Sequence, residues 1–129
     1  MAVTMTETYR EEFSSGNKLV VGFKIDLAGA YPVAGGNEIN NTTMGAQIFS
    51  KINSVIFDFY QIDPSTGYVA AFAVPDNTDE DEPTVALKVY DEATGGIGHN
   101  EVGGGDTFVG TWYGRFDGVP VGGVDGDQV

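Results

Sequence analysis

The sequence contains no cysteine among its 129 residues, which excludes a disulfide framework, a thiolate metal site and a cysteine nucleophile. Basic residues are also scarce: six Lys and Arg stand against nineteen Asp and Glu, leaving a formal net charge of −13. Such a charge repels phosphate backbones and anionic membranes, so we expect neither nucleic acid nor a membrane as a partner. No apolar run approaches the length of a membrane span, and the N-terminal residues lack the basic and apolar regions of a standard export signal.

The chain nevertheless has enough apolar material to form one folded core. Hydrophobic residues make up 41% of the sequence and aromatic residues 12%, which is too much for a disordered polypeptide. The 19 glycines indicate many turns. A chain of this size buries roughly two-thirds of its unfolded surface without help from disulfides or metals. The composition therefore predicts a globular, loop-rich domain.

Short runs of β-branched and aromatic residues, separated by Gly, Asn, Asp and Pro, are typical of strands and turns. The clearest strand covers 18–27, where five apolar residues at alternate positions share one face: Leu19, Val21, Phe23, Ile25 and Leu27. Further strands are predicted at 55–62, 68–74, 85–90 and 107–116. Proline and glycine in the turn at 63–67 predict that the strands on either side of it form a β-hairpin.

These strands predict an all-β fold, a compact antiparallel β-sandwich or a collapsed barrel, with at most one short helix. The helix is expected near 41–49, capped by Thr42 or Thr43, with Met44, Ile48 and Phe49 pointing inward. We predict a single β domain over residues 1–116. A flexible Gly- and Asp-rich C-terminal tail is expected over residues 117–129.

No group of residues indicates catalysis. His99 is the only histidine and lies in a Gly-rich segment, and no serine has the local context of an activated nucleophile. The glycines at 103–105 precede a strand rather than a helix and lack the lysine of a phosphate-binding loop. We therefore predict no catalytic residue, no cofactor-binding residue and no enzymatic activity.

The acidic segment at 76–82 carries many hard oxygen ligands of the kind that calcium prefers. It fails the EF-hand pattern, because Pro83 occupies the position that requires glycine if Thr78 is the first ligand. A solvated acidic loop is the favoured interpretation and a calcium site the alternative. We predict no metal ligand here.

Two interpretations also apply to Trp112, which alternates with small and aromatic residues along its strand. Glycine makes room for an aromatic neighbour in a closely packed layer, so the pattern favours a tryptophan in the core. The alternative is a recognition surface in which Trp112 and Tyr113, beside Arg115, stack on a sugar or a partner.

Turn residues and strand spacing from Met1 to Phe116 resemble those of the small head-associated structural proteins of tailed bacteriophages. The matching landmarks, in order, are Met1-Ala2-Val3-Thr4, Gly16-Asn17-Lys18, Tyr31-Pro32, Gly35-Gly36, Ile52-Asn53-Ser54-Val55, Gly67-Tyr68, Glu101-Val102 and Gly105-Asp106. This resemblance implies a decoration or cement protein of the capsid: a non-enzymatic β-sandwich with no cofactor. It further implies a location in the virion after assembly in the host cytoplasm. The implied partners are the major capsid protein and further copies of this chain.

The aromatic-glycine face of Phe108, Trp112 and Phe116 suggests that any assembly uses specific apolar patches or strand edges. The contact with capsid subunits is expected through two segments, an N-terminal arm at 1–13 and the connection at 28–51. Because the arm precedes the first clear strand, its removal is expected to leave the fold intact. The alternative function is a glycan- or receptor-binding β-sandwich of a phage tail or surface protein, which would use Trp112, Tyr113 and the acidic loop.

Overall fold

The structure is a computed structural model, and it describes residues 2–13, 16–32, 36–61, 69–79, 81–92, 99–103, 105 and 107–122. In chain order the elements are β1 (Ala2–Glu12), β2 (Leu19–Ala30), β3 (Asn37–Ile39), α1 (Asn41–Met44), β4 (Phe49–Gln61), β5 (Val69–Phe72), β6 (Val85–Glu92), β7 (His99–Glu101) and β8 (Thr107–Pro120). The all-β prediction is confirmed.

The strands form two antiparallel sheets that pack face to face and, within the described residues, do not close into a barrel. The first sheet has the order β1-β2-β8-β4. The second sheet has the order β3-β6-β5, with β7 paired to the far half of β6. The fold is therefore sandwich-like, and the face of the first sheet that packs on the second is called its inner face below.

The core lies between the inner faces and is built by the period-two alternation of the sequence. The five alternating apolar residues of β2 are all buried, as predicted, and so are Val85, Leu87 and Val89 on β6. Aromatic rings connect the sheets, because the Phe116 ring on β8 meets the Phe72 ring on β5 edge-on at a centroid distance of 5.7 Å.

Trp112 belongs to this core, as its alternation with glycine predicts. Its side chain is only 1% exposed and lies on the inner face of β8. A Cβ atom at Gly110, two residues earlier on the same face, would overlap the indole ring. Glycine at this position therefore makes room for the tryptophan.

The predicted helix is present but shorter than expected, and its cap is a different residue. Asn40 is the N-cap: its backbone is extended and its side-chain oxygen accepts a hydrogen bond of 2.9 Å from the Thr43 amide. The four-residue helix ends at Gly45, whose φ of 86° favours glycine. Met44, Ile48 and Phe49 are buried as predicted.

The predicted β-hairpin around 63–67 is wrong. β4 pairs with β8 in the first sheet, whereas β5 pairs with β6 in the second sheet, so the chain passes from one sheet to the other between them. The turn itself lies outside the described residues. Turn residues predict a local reversal of the chain, but they do not determine which strand edges then meet.

The predicted start of the C-terminal tail, residue 117, is too early. β8 continues to Pro120, and Val119 is only 3% exposed. Gly118 lies so close to the Lys51 backbone that a Cβ would overlap the Lys51 carbonyl oxygen. Glycine therefore permits close packing here, whereas the sequence pattern had indicated flexibility. Residues 123–129 lie outside the described residues.

The prediction of an N-terminal arm is also wrong, because residues 2–12 form a strand that pairs with β2 along its length. One register shift, between Glu7 and Tyr9, interrupts the pairing. Val3 and Met5 lie opposite Leu27 and Ile25 and pack against the core. The strand was missed because its remaining residues are almost all Thr, Glu and Arg, which give a weak apolar alternation.

Candidate interaction surface

The outer face of the first sheet, turned away from the core, carries a shallow depression of about 350 Å³. We call its lining the outer patch. It is made of Tyr9, Glu11, Phe13, Lys18, Val20, Ser54, Ile56, Arg115 and Asp117. These residues come from the first sheet and from the segment between β1 and β2, so the strand order brings distant parts of the sequence together.

Two cross-strand rows form the floor of the outer patch. In the first row Tyr9 lies opposite Gly22, Gly22 opposite Arg115, and Arg115 opposite Ile56. A Cβ atom at Gly22 would overlap the Tyr9 ring, so the ring covers the bare backbone of β2. The second row runs parallel to the first and contains Glu11, Val20, Asp117 and Ser54.

Large apolar side chains are exposed at the outer patch. Tyr9 is 38% exposed, Phe13 43% and Ile56 52%. The Lys18 ammonium lies 5.1 Å from the centre of the Phe13 ring, which places a cation over an aromatic face. Exposed aromatic and aliphatic groups set among polar residues are typical of surfaces that bind another macromolecule.

The charge of this face differs from that of the whole chain. The outer patch contains two bases, Lys18 and Arg115, and two acids, Glu11 and Asp117, and Lys24 and Asp26 add one charge of each sign on the same face of β2. Two of the pairs are in contact, with Lys18 Nζ 3.6 Å from Asp117 and Lys24 Nζ 3.7 Å from Asp26. These charges balance, so on a chain of net charge −13 the outer patch can approach another surface without adding excess negative charge.

The acidic segment at 76–82 forms a second depression, of about 280 Å³, lined by Glu38, Asp76, Asp79 and Glu82 with Thr78 and Thr84. Hydrogen-bond donors of the protein itself already contact carboxylates that line this depression. Asp76 accepts hydrogen bonds from the Thr78 amide and hydroxyl, and these bonds lower the pKa of Asp76. Glu82 accepts two more from the backbone amide and the hydroxyl of Thr42.

The Asn77 side chain anchors this loop, donating to the Ile52 carbonyl and accepting from the Ile52 amide, both at 2.8 Å. In the part of the chain that the structure describes, no three His, Cys, Asp or Glu side chains are grouped so as to hold a metal ion. Whether the loop binds calcium stays a prediction for titration.

The surface expected for glycan recognition does not form. Trp112 is buried in the core, and Tyr113, the next residue in the strand, points to the opposite face of the sheet. Phe116 is likewise fully buried, so Trp112 and Phe116 of the aromatic-glycine face pack in the core and are not available for docking. The side chains of Phe108 and His99 lie outside the described residues.

The connection at 28–51 is also largely internal. It contains β3 and α1, and it buries the side chains of Tyr31, Asn37, Ile39, Asn41, Met44, Ile48 and Phe49. Asn41 is only 1% exposed, and its amide oxygen accepts from the amides of Ile48 and Phe49 at 3.1 and 3.0 Å. This segment therefore contributes more to the core than to a contact surface.

Tyr31 illustrates the same point, because its hydroxyl links β7 to β6 inside the fold. The hydroxyl donates to Glu101 at 2.5 Å and accepts from the Val89 amide at 3.3 Å. Burial, followed by the bond to Glu101, raises the pKa of Tyr31 above its ordinary value. A tyrosine kept neutral by burial and bonded within the fold stabilises the packing of these segments.

Sequence reasoning missed the outer patch because its residues come from separate strands. A partial signal existed in Tyr9 and Phe13, two aromatic residues in a segment that is otherwise mostly polar and charged. Comparisons with profiles of known families, with curated proteins and with solved structures return no match for this chain. None of the helices in the described residues is long and apolar enough to span a bilayer.

Proposed function

We propose that this chain is a non-enzymatic structural protein of a virion, a capsid decoration or cement protein that binds and stabilises the shell of the major capsid protein. The proposal rests on the resemblance to small phage head proteins. The observation that supports it is the outer patch, a charge-balanced and partly apolar sheet face on a strongly acidic domain.

A cement protein works by burying surface across the boundaries between shell subunits, which adds association free energy to the shell. The acidity of this chain keeps free copies apart, so attachment requires a specific surface. At the outer patch the apolar groups of Tyr9, Phe13 and Ile56 can be removed from water without bringing excess negative charge into contact.

The size of the sheet face suits this role. Four strands of about ten residues each span roughly 600 Å². A stable protein interface buries about 800 Å² on each partner, so the outer face supplies most of such a contact and adjoining loops the rest. Within the outer patch, Arg115 and Ile56 are cross-strand neighbours in the first row, with Ile56 on the edge strand β4.

The test compares purified phage particles that carry wild-type or variant protein. Ile56→Asp with Arg115→Glu adds three negative charges to the outer patch. The matched control, Val74→Asp with Lys88→Glu, adds the same charge elsewhere, since Val74 is 89% exposed and Lys88 lies on the second sheet. We expect wild type and control at a fixed copy number per major capsid subunit, and the patch variant at less than about a tenth of it, because three added charges oppose the contact and an exposed apolar group is lost.

Equal occupancy of the patch variant and its control would exclude the outer patch as the contact. Absence of the wild-type protein from purified heads would refute the capsid function. If the free domain then binds glycans, the alternative of a glycan- or receptor-binding module of a tail or surface protein replaces it.

A further inference from the structure

β1 lies at an edge of the first sheet: one side of the strand pairs with β2, and no other strand among the described residues pairs with the opposite side. The opposite edge strand, β4, is interrupted by three register shifts, which hinder pairing with another chain. β1 has one shift, between Glu7 and Tyr9, so residues 2–7 form a regular ladder with β2. Their outward backbone groups form a row of the kind to which another strand can add.

Charge is unevenly distributed along β1. Residues 2–6, which are Ala, Val, Thr, Met and Thr, carry no charged side chain. Residues 7–12 carry Glu7, Arg10, Glu11 and Glu12, and Arg10 contacts Glu7 at 2.6 Å and Glu12 at 3.9 Å. The strand therefore has an uncharged half and an acidic half.

We propose that the uncharged half of β1 pairs antiparallel with the same segment of a second copy of this chain. Two-fold pairing near Met5 joins the two first sheets into one continuous sheet of eight strands. The antiparallel direction follows from the charges: Glu7 of each copy then lies opposite the uncharged Val3 of the other, and the remaining charged residues extend beyond opposite ends of the ladder. Parallel pairing would instead place each Glu beside its own counterpart, which is destabilising.

The side chains in this half suit such a ladder. Thr4 and Thr6 lie on the outer face, opposite Asp26 and Lys24 of β2, and both are exposed. When Met5 is at the centre, Thr4 of one copy lies opposite Thr6 of the other, and threonine pairs across strands are favourable. Met5 meets Met5 on the inner face, beside the core.

This geometry has a consequence that rests on the proposed function. A two-fold axis that joins two sheets edge to edge runs perpendicular to the combined sheet, so the outer patches of both copies face the same way. The pair can then attach to one shell through two patches, and the second contact forms at a high effective concentration. Self-pairing itself does not depend on what the patches bind.

The pairing of free copies is weak and salt-dependent. A ladder of about five residues buries less than the roughly 1,200 Å² of a stable interface. Two chains of charge −13 also repel each other, and salt screens that repulsion. We therefore expect a monomer–dimer equilibrium that shifts towards dimer as ionic strength rises.

The test is sedimentation velocity of the full chain over a range of concentrations and salt. Thr4→Glu with Thr6→Glu places like charges opposite each other twice, and it should weaken dimerisation by about tenfold. The control, Asn53→Glu with Val74→Glu, adds the same charge at exposed positions away from β1 and should retain dimerisation. Mixing the Glu variant with Thr4→Lys, Thr6→Lys protein should restore a dimer that contains one chain of each kind.

Dimerisation that is equal in the Glu variant and its control would overturn the inference, and so would a wild-type protein that stays monomeric at concentrations on the order of 1 mM in high salt. Occupancy on particles separates this inference from the proposed function. Monomeric protein that fills its capsid sites would refute only the pairing. A β1-dependent dimer that is missing from particles would support the pairing and refute the capsid function.

Discussion

The aromatic ring of Tyr9 on β1 lies directly over Gly22, its cross-strand partner on β2. Glycine in a strand leaves the backbone exposed and gives no side chain for neighbours to pack on. An aromatic ring on the adjacent strand compensates by covering the glycine. The same contact attaches the edge strand to the sheet and forms the floor of the outer patch.

This relationship predicts that Gly22→Ala lowers the free energy of unfolding by about 1–3 kcal/mol, because the new methyl group displaces the Tyr9 ring. Gly114→Ala is a matched control in a neighbouring strand, since its Cβ would meet neighbours only at 3.4–3.5 Å, an ordinary contact distance. Urea denaturation measures both. In a Tyr9→Ala background the cost of Gly22→Ala should fall, and an unchanged cost would show that the ring is not what the methyl group meets.

The buried side chain of Asn41 should be among the most sensitive polar positions. Its Nδ2 donates to the Phe49 carbonyl at 2.8 Å, in addition to the two bonds that its oxygen accepts. Asn41→Ala leaves these buried groups unpaired, so we expect a loss of about 3 kcal/mol in unfolding free energy. Asn53→Ala, at an exposed position on β4, should change it by less than about 0.5 kcal/mol. Similar losses for the two variants would contradict this assignment.

The raised pKa of Tyr31 predicts that the stability of the fold depends on pH in the alkaline range. Its pKa in the folded state is raised above the ordinary 10.0, so the folded state holds the proton more tightly than the unfolded state. The resulting stabilisation is complete below pH 10 and is lost as the pH rises above it. Urea denaturation of wild type and of Tyr31→Phe at a series of pH values measures how much the Tyr31 hydroxyl stabilises the fold at each pH. The difference in stability should shrink as the pH rises above 10, and a constant difference would argue against a raised pKa.

Removal of the N-terminal segment should damage the fold, contrary to the expectation for a free arm. Deleting residues 1–13 takes Val3 and Met5 from the core and leaves the β2 edge without its partner. Full burial of two such side chains contributes about 3–6 kcal/mol, and Val3 and Met5 are partly buried, so we expect their removal to cost up to that amount. An unchanged thermal midpoint in circular dichroism would show that β1 adds nothing to the fold. Point substitutions are therefore better probes of binding than this truncation.

The acidic depression should bind calcium only weakly. The hydrogen bonds from Thr78 and Thr42 already use carboxylate oxygens of Asp76 and Glu82, and a cation would have to displace these donors. Calorimetric titration with calcium chloride should show no stoichiometric site in the micromolar range, which is the range of sensor proteins. One stoichiometric micromolar site would establish the alternative of a metal-organised loop.

How far the sequence predicts this fold depends on whether the signal is local. The buried faces of β2 and β6 were predictable because apolar residues recur there at every second position. The pairing of β4 with β8 was not, because it joins residues far apart in the chain and the turn at 63–67 indicated a local partner. The outer patch has the same origin: Tyr9, Ile56 and Arg115 become neighbours only through the strand order.

β8, the latest of the described strands in the chain, lies in the first sheet between β2 and β4. During synthesis, therefore, β2 and β4 leave the ribosome well before the strand that connects them. Until residues 107–120 follow, the apolar face of β2 has no complete sheet in which to be buried. Nascent chains halted before β8 should be sensitive to protease and should bind chaperones, and the sheet should close only after translation has passed residue 120.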